Sequence, residues 1–203
     1  MSEKTTRAVD STPNPDTFFR ATIRGRVVRK IRLAKSLIFV VASYSPYAKK
    51  ADFPRFVATQ NMDELEKAFN VGDRVTVEAY LRTSRRSPVG ILIPTSVKVE
   101  KNRIDAAFAK EPYLPDDNCI AIRGKLVSDP YVPNENTTLA TFEVATPAGK
   151  SFARTIAFAG AAGGLAQKRK GEIVDMLAYI RTKPLKEAKE RDHTQSLVVT
   201  SVR

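Results

Sequence analysis

The 203-residue sequence predicts an all-β protein made of two copies of a small five-stranded barrel, each with a short helix between its third and fourth strands. Three observations predict this fold class. Several segments recur about 99 residues further along the chain, these segments are rich in β-branched residues, and apolar and polar side chains alternate within them. A chain of 203 residues can form two domains that each bury a core.

The repeat keeps a constant register within strands. Three pairs of segments share an offset of 122 − 23 = 99 residues: 23–28 with 122–127, 53–58 with 152–157, and 71–83 with 170–182. In the second strand Phe39 matches Phe142 at an offset of 103, and the last strands, which read TSVK and TSVR, match at an offset of 105. Because the insertions fall between strands, the pattern indicates a duplicated folding unit.

The repeat also sets the predicted domain boundaries: a flexible tail at 1–17, a first domain at 18–104, a linker at 105–118 and a second domain at 119–203. The chain carries 34 basic and 22 acidic side chains, a net charge of +12. The first domain holds 18 basic and 7 acidic residues, the second 13 and 8, and the linker 1 and 4. Two basic domains favour an anionic partner, with nucleic acid ahead of an acidic membrane surface.

Alternation assigns one face of each fourth strand to the core. The inward residues are Val75, Val77, Ala79 and Leu81 in the first copy, and Val174, Met176, Ala178 and Ile180 in the second. On the opposite face, Tyr80 and Tyr179 fit contact with either the other domain or a second chain. Both readings stay open at the level of sequence.

Helices are predicted at 61–69 and at about 160–169. Asn61 is expected to cap the first helix, with Glu64 three residues later completing an arrangement like a capping box. Each helix is followed by a turn with a glycine, at positions 72 and 171.

Two further glycines, Gly25 and Gly124, lie inside the first strands. A missing side chain there lets a strand bend around the corner of a barrel. Five strands with a helix between the third and fourth is the order of the OB-fold, a partly open Greek-key barrel. Strand order and bending therefore predict the same architecture.

The third strand is the segment on which the functional prediction depends. In the second copy, Phe152, Arg154, Ile156 and Phe158 share one face. Periodicity alone leaves open whether this face is the core, but an unpaired guanidinium inside a core costs several kcal/mol, so we expect the face to point outward. The first copy has Phe53 and Arg55 in the same places. Outward aromatic rings beside a cation suit stacking on bases, which is worth roughly 1–3 kcal/mol per base.

Further candidates for a nucleic-acid surface lie on neighbouring strands and in loops. The first strands supply Arg24, Arg26, Arg123 and Lys125, the fourth strands supply Arg82 and Arg181, and the loops supply Tyr44, Tyr47, Lys49, Lys50, Arg85, Arg86 and Lys183. A single surface cation is ordinarily no more than a solvated charge, so this prediction rests on the group.

At these motifs the sequence resembles the bacterial-type single-stranded DNA-binding proteins. The matching segments of the second copy are IRGKLVSDPYV at 122–132, LATFEVAT at 139–146 and FARTIAFAGAAGGLAQKRKGEIVDMLAYIRT at 152–182. The resemblance implies OB-folds that bind single-stranded DNA, with Phe152 and Phe158 stacking on bases. The first copy is a weaker match, because Thr59 stands at the position of Phe158.

The chain departs from the family pattern in two respects. Phe152 stands where the family usually has Trp, which suggests weaker stacking. The acidic, Phe-ended tail that recruits replication and repair proteins is missing, because the sequence stops at 201–203 with Ser-Val-Arg. A basic tandem form without that tail favours a phage or plasmid origin, with the host cytoplasm or nucleoid as its location.

The sequence predicts no enzyme, cofactor or metal. His193 is the one histidine and Cys119 the one cysteine, which excludes a His-rich metal site and an internal disulfide. We expect a sequence-tolerant binder of single-stranded DNA that acts in DNA replication, recombination or repair, with homodimerisation and contact with replication or recombination proteins as further possibilities. Two alternatives stay open: an RNA-binding or replication-accessory module that uses the same face, and an assembly scaffold that binds protein through Ile38 and Val40.

Overall fold

The computed structural model describes residues 15–44, 50–84, 87–100, 115–184 and 193–203, without the side chains of 84, 87–89 and 193. We refer to residues 15–100 as the first half and to 115–203 as the second half. None of the helices in these ranges is long and apolar enough to cross a membrane.

The described residues form eleven strands and two short helices, so the predicted all-β class is confirmed. The elements of the first half are β1 (Phe18–Leu33), β2 (Ser36–Ala42), β3 (Arg55–Ala58), α1 (Met62–Ala68), β4 (Arg74–Ser84) and β5 (Ser87–Glu100). Those of the second half are β6 (Asp117–Leu126), β7 (Tyr131–Asn134), β8 (Thr137–Thr146), β9 (Gly149–Phe158), α2 (Ala159–Ala166), β10 (Ile173–Pro184) and β11 (His193–Val202).

The short strand β7 was not predicted. In the first half β1 runs without a break for 16 residues and then turns directly into β2. In the second half the corresponding path is interrupted at 127–130, so that it forms β6 followed by β7. Pro130 is the last residue of this interruption, and a proline has no N–H to donate to a neighbouring strand.

All eleven strands belong to one hydrogen-bonded sheet, in the order β2-β3-β5-β4-β1-β6-β10-β11-β9-β8-β7. In addition, β1 pairs with β2 and β6 pairs with β8, so each half curls back onto its own first strand. The antiparallel pairing of β1 with β6 joins the halves. Ala21 lies opposite Ile120, its own counterpart in the repeat, so this ladder is symmetric about that pair.

The last two strands of each half pair in the same register. Val77 lies opposite Val97, and its counterpart Met176 lies opposite Val202, which keeps the offsets of 99 and 105. A bulge follows in both ladders at the next step, after Glu78 and after Leu177.

The second strands of the two halves, β2 and β8, correspond at an offset of 101 residues, and not at the predicted offset of 103. Val41 lies opposite Val27 in the first half, and Phe142 lies opposite Leu126 in the second. Val41, and not Phe39, is therefore the counterpart of Phe142. A shift of two residues leaves every side chain on the same face of a strand, which is why the sequence pattern did not reveal it.

The core runs through both halves. All eight residues predicted to face inward on the fourth strands are buried, which confirms that assignment. In the first half the ring of Phe39 stacks on Phe56 at 5.0 Å and meets Phe69 edge-on at 4.9 Å. Such ring pairs add about 0.5–1.5 kcal/mol beyond the area that they bury.

The predicted side-chain cap of α1 was wrong. Asn61 precedes the helix, but its backbone is left-handed (φ 49°, ψ 30°) and its side chain makes no capping hydrogen bond. A capping side chain needs an extended backbone at that residue to reach the free N–H groups of the first turn. Asparagine tolerates the left-handed region, so Asn61 forms the turn before the helix without capping it through its side chain.

The glycines inside the first strands, which were predicted to let those strands bend, allow close approach of a neighbouring strand. A Cβ on Gly25 would lie 2.1 Å from the carbonyl oxygen of Ala42, and one on Gly124 would lie 2.6 Å from Cβ of Phe142. Both glycines lie where the first strand also pairs with the second, at Arg26 and at Lys125. The missing side chains therefore make room for this closure.

We expect Gly124→Ala to destabilise the protein by about 1–3 kcal/mol, because the new Cβ overlaps a fully buried side chain. Urea unfolding followed by circular dichroism measures the change. Gly163→Ala in α2 is the matched control, since a Cβ there meets no atom within 4 Å, and alanine is the better helix former by up to about 1 kcal/mol. Unfolding of Gly124→Ala at the wild-type urea concentration would contradict this account.

Candidate nucleic-acid interface

The two faces of β9 differ in the way that the sequence predicts. Phe152 and Phe158 are 41% and 40% exposed, and Arg154 between them is exposed as well. The inward face carries only small side chains, all of them buried: Ser151, Ala153, Thr155 and Ala157. The outward orientation of the aromatic face is therefore confirmed.

Cross-strand neighbours extend this face over β8 and β7. Leu139 lies opposite Ile156 of β9 on one side and opposite Tyr131 of β7 on the other. Tyr131 is 65% exposed and Leu139 is 37% exposed. We use the name β7–β9 strip for six outward residues of these strands: Tyr131, Leu139, Phe152, Arg154, Ile156 and Phe158.

Sequence reasoning missed two members of the strip. Leu139 could have been found, because alternation in 139–146 places it opposite the buried Ala140 and Phe142. Tyr131 could not, because four exposed residues around a proline carry no strand periodicity. Its position follows only from the pairing of β7 with β8.

Of the basic residues predicted on β6, Lys125 lies nearer the strip. Lys125 is opposite Glu143, which in turn is opposite Phe152. Two strand spacings of about 4.8 Å put Lys125 roughly 10 Å from Phe152. Arg123 lies toward β10 instead, where its Nη1 atom is 3.5 Å from a carboxylate oxygen of Asp175.

A cation–carboxylate pair lies at the edge of the strip. Nζ of Lys150, on the outward face of β9, lies 3.1 Å from Oε1 of Glu143. Both side chains are about one-fifth exposed. The carboxylate of Glu143 is therefore balanced by the ammonium group of Lys150.

The corresponding face of the first half is less open. Phe53, Arg55 and Val57 alternate with the buried Pro54 and Phe56, as predicted, but all three are only half-exposed. Two of their backbone N–H groups donate hydrogen bonds to the second half. That of Phe53 donates to Oγ1 of Thr182 at 2.9 Å, and that of Arg55 donates to the side chain of Gln195 at 2.8 Å.

The reciprocal contact is present on the other side. The N–H of Phe152 donates to Oγ1 of Thr83 at 2.9 Å. Phe152 and Thr83 are the repeat counterparts of Phe53 and Thr182, so each fourth strand supports the third strand of the other half. The strip is thus positioned partly by the first half.

The two outward tyrosines also lie at the contact between the halves. Tyr179 is buried, and its pKa is raised chiefly by burial and to a smaller extent by the charge of Asp52 in the first half. Tyr80 lines a cavity together with Ala145 and Pro147 of the second half. Of the two readings of these tyrosines, the structure favours contact with the other half.

Arg24 belongs to an ion-pair network. Its Nε lies 3.0 Å from Oε1 of Glu100, and its Nη1 donates to the carbonyl of Pro115. Glu100 also faces Arg74, which in turn pairs with Asp116. The network ties the chain entering the second half to the first half, so Arg24 is engaged within the fold.

The other predicted cations vary in their surroundings. Arg26 is exposed and donates to the carbonyl of Gly72 at 2.8 Å. Lys50, Arg82, Arg181 and Lys183 are exposed, and so is Tyr44. Tyr47, Lys49, Arg85 and Arg86 lie outside the described residues.

An apolar cleft of about 270 Å³ opens beside the strip. It lies between β4 and β5 of the first half and β8, β9, β10 and β11 of the second. The apolar residues that line it are Leu81, Leu92, Leu139, Ile156, Ile180 and Leu197, with Phe152 and Arg154 at its side.

Asp52 is a buried carboxyl group at the contact between the halves. Its Oδ1 accepts a hydrogen bond from the N–H of Thr182 at 2.7 Å, whereas Oδ2 has no hydrogen-bond partner among the described residues. Burial raises the pKa of Asp52 above its usual 3.8, and the hydrogen bonds from Thr182 and the charge of Arg181 offset this only in part.

Neither a metal site nor a reactive thiol is apparent in the described ranges. These ranges contain no cluster of three or more His, Cys, Asp or Glu side chains that could hold a metal ion. Cys119 on β6 is a free, half-buried thiol whose pKa is raised by burial and by the charge of Asp117. A raised pKa lowers the fraction of reactive thiolate at neutral pH.

Solved structures share this fold. The wild-type single-stranded DNA-binding protein of Thermus aquaticus superposes with a TM-score of 0.63 and 12% identity, over 92% of this chain and 92% of that chain. A deletion variant of the same protein gives a TM-score of 0.64 and 11% identity, over 93% and 94%. No protein-family model matches the sequence, and no curated protein sequence does. The resemblance found in the sequence is thus confirmed at the level of the fold.

We expect the stability conferred by Asp52 to depend on pH. Because its pKa is raised on folding, the folded state binds a proton more readily than the unfolded state. Stability should therefore increase as pH falls through the folded-state pKa, with the gain complete below about 3.8. Urea unfolding of wild type and Asp52→Asn between pH 7 and pH 4 tests this.

The free energy of unfolding of the wild type should rise relative to that of Asp52→Asn as the pH is lowered. Glu64→Gln, which alters an exposed carboxylate on α1, is the control for a general charge effect. A difference between wild type and Asp52→Asn that stays constant over this range would show that the assignment is wrong.

Proposed function

We propose that the chain is a sequence-tolerant single-stranded DNA-binding protein that protects exposed strands during DNA replication, recombination or repair. The observation that carries this proposal is the outward face of β9, where two exposed phenylalanine rings flank an exposed arginine. Large aromatic side chains left open beside a cation suit a ligand that has both flat apolar faces and negative charge. A single strand of DNA has both.

The same face discriminates between single strands and duplex. Bases in a duplex are paired and stacked on one another, so their faces cannot cover Phe152 or Phe158. Stacking accepts any base, because each has a π-face, and this makes the binding tolerant of sequence. The net charge of +12 adds attraction to phosphate that falls as salt rises.

The chain is further proposed to consist of two OB-fold domains, at 18–104 and 119–203, joined by the linker 105–118. The equal registers of β4–β5 and β10–β11, with a bulge at the same step, support this division. Two linked domains raise each other's effective concentration on one strand.

The proposed activity is binding without catalysis, and it requires no cofactor. Homodimerisation and contacts with replication or recombination proteins stay predictions from the sequence. Oligomers of dT that increase in length, titrated against the wild type, would give the number of nucleotides covered.

The double variant Phe152→Ala/Phe158→Ala should bind a dT oligomer at least about 30-fold more weakly than the wild type. Loss of two stacked bases at roughly 1–3 kcal/mol each accounts for this, since 1.4 kcal/mol is tenfold in affinity. Fluorescence anisotropy of a labelled oligomer at moderate salt measures it. Phe18→Ala is the matched control, because Phe18 is 39% exposed and lies outside the strip.

Competition with duplex DNA and with RNA tests whether the surface is specific for single-stranded DNA. We expect duplex DNA of equal length to compete poorly. Equal affinity for duplex and single strand would refute the proposed function. Clearly tighter binding of a U oligomer than of a dT oligomer would assign the surface to RNA, which alone offers a 2′-hydroxyl.

A further inference from the structure

We infer that Tyr131 is a third base-stacking residue, and that the bound strand passes from Phe158 across β8 to β7. This inference rests on the proposed function, and it names a residue and a path on the same surface. It also places the base-stacking site mainly in the second half of the chain.

The exposure of Tyr131 is the first argument. At 65% it is the most exposed of the large hydrophobic side chains in the described ranges. Each of the four residues of β7 is exposed, so the ring contributes little to the core of this chain. An aromatic side chain left open in this way offers a large apolar area to a ligand at low cost in conformational entropy.

The position of Tyr131 is the second argument. It forms one row with Leu139 and Ile156, and Phe158 is two residues beyond Ile156 on the same face of β9. Two strand spacings and two residues along the strand put Tyr131 about 12 Å from Phe158. This exceeds the 4.5–7 Å at which two rings contact each other, so the two rings can receive different bases.

The first half supplies an internal comparison. Its corresponding row is Ile31, Ile38 and Val57, which are aliphatic and only partly exposed. The position of Phe158 is taken there by Thr59. The fold therefore does not require an aromatic residue at the position of Tyr131, because the first half has Ile31 there. Exposed rings at the positions of Tyr131 and Phe158 occur only in the second half, as expected if they bind a ligand.

A second protein chain is the other conceivable occupant of this edge. Strand addition would use the free backbone N–H groups of β7, but Pro133 lies in this four-residue strand and has none. Short edge strands with proline resist such pairing. The short strand and its proline therefore favour a ligand that uses the ring of Tyr131 and not the strand edge.

The test compares Tyr131→Ala with Tyr131→Phe and with the matched control Val132→Ala. Val132 is the next residue of β7 and is 46% exposed, but it has no partner in the row of Tyr131, Leu139 and Ile156. Tyr131→Ala should weaken binding of a dT oligomer roughly five- to hundredfold, whereas the other two variants should bind within about twofold of the wild type. Thermal unfolding should be unchanged in all three, since the side chains lie outside the core.

The salt dependence separates stacking from charge. Tyr131→Ala should leave the slope of log K against log salt unchanged, because no phosphate contact is lost. Lys125→Ala should reduce the slope by about 0.7, the contribution of one phosphate contact to a single strand.

A single-tryptophan variant reports on contact directly, because the chain contains no Trp. Fluorescence of Tyr131→Trp should be quenched when a dT oligomer binds, and that of Val132→Trp should change far less. Equal binding by Tyr131→Ala and wild type would overturn the inference and leave the proposed function intact. Absence of dT binding by the wild type would instead overturn the proposed function itself. Loss of self-association in sedimentation, with unchanged dT affinity, would assign Tyr131 to a protein contact.

Discussion

The antiparallel pairing of β1 with β6 is the contact on which the rest of the structure depends. It makes one sheet from two halves, and Ala21 and Ile120 at its centre are fully buried. Because the ladder is symmetric about this pair, β4 of the first half reaches β9 of the second, and β10 reaches Phe53 just before β3. The hydrogen bonds from Phe152 to Thr83 and from Phe53 to Thr182 follow from that symmetry. The orientation of both third strands is thus a consequence of how the first strands meet.

The symmetry of the backbone is not matched by the side chains. Both third strands are held from across the interface, but only the second presents open aromatic rings. The first half is the more basic of the two by sequence, and one of its predicted cations, Arg24, is paired within the fold. Under the proposed function, charge on both halves would draw the strand in, and the β7–β9 strip would hold its bases.

Much of this arrangement could be predicted from the sequence. Alternation of apolar and polar residues predicted the buried faces of β4, β9 and β10 correctly. One side of each strand is buried, so apolar residues are required at every second position. The presence of Arg154 on the aromatic face of β9 was enough to predict that this face points outward. The two-residue shift of the second strand could not be seen, since it changes no face.

The remaining features depend on contacts that no local pattern encodes. Tyr131 enters the strip only because β7 pairs with β8. The hydrogen bond from the N–H of Thr182 to Asp52 exists only because the halves meet there. The backbone of Asn61 took a left-handed turn where its residue type suggested a cap. In each case tertiary structure decided what residue type alone left open.

The most direct test of single-strand binding uses Phe152→Trp, the one tryptophan in an otherwise Trp-free chain. Its fluorescence is recorded at moderate salt while a dT oligomer, or a duplex of the same length, is added. Strong quenching by the single strand with little change from the duplex is the predicted result. Equal quenching by both, or none by the single strand, would contradict the account.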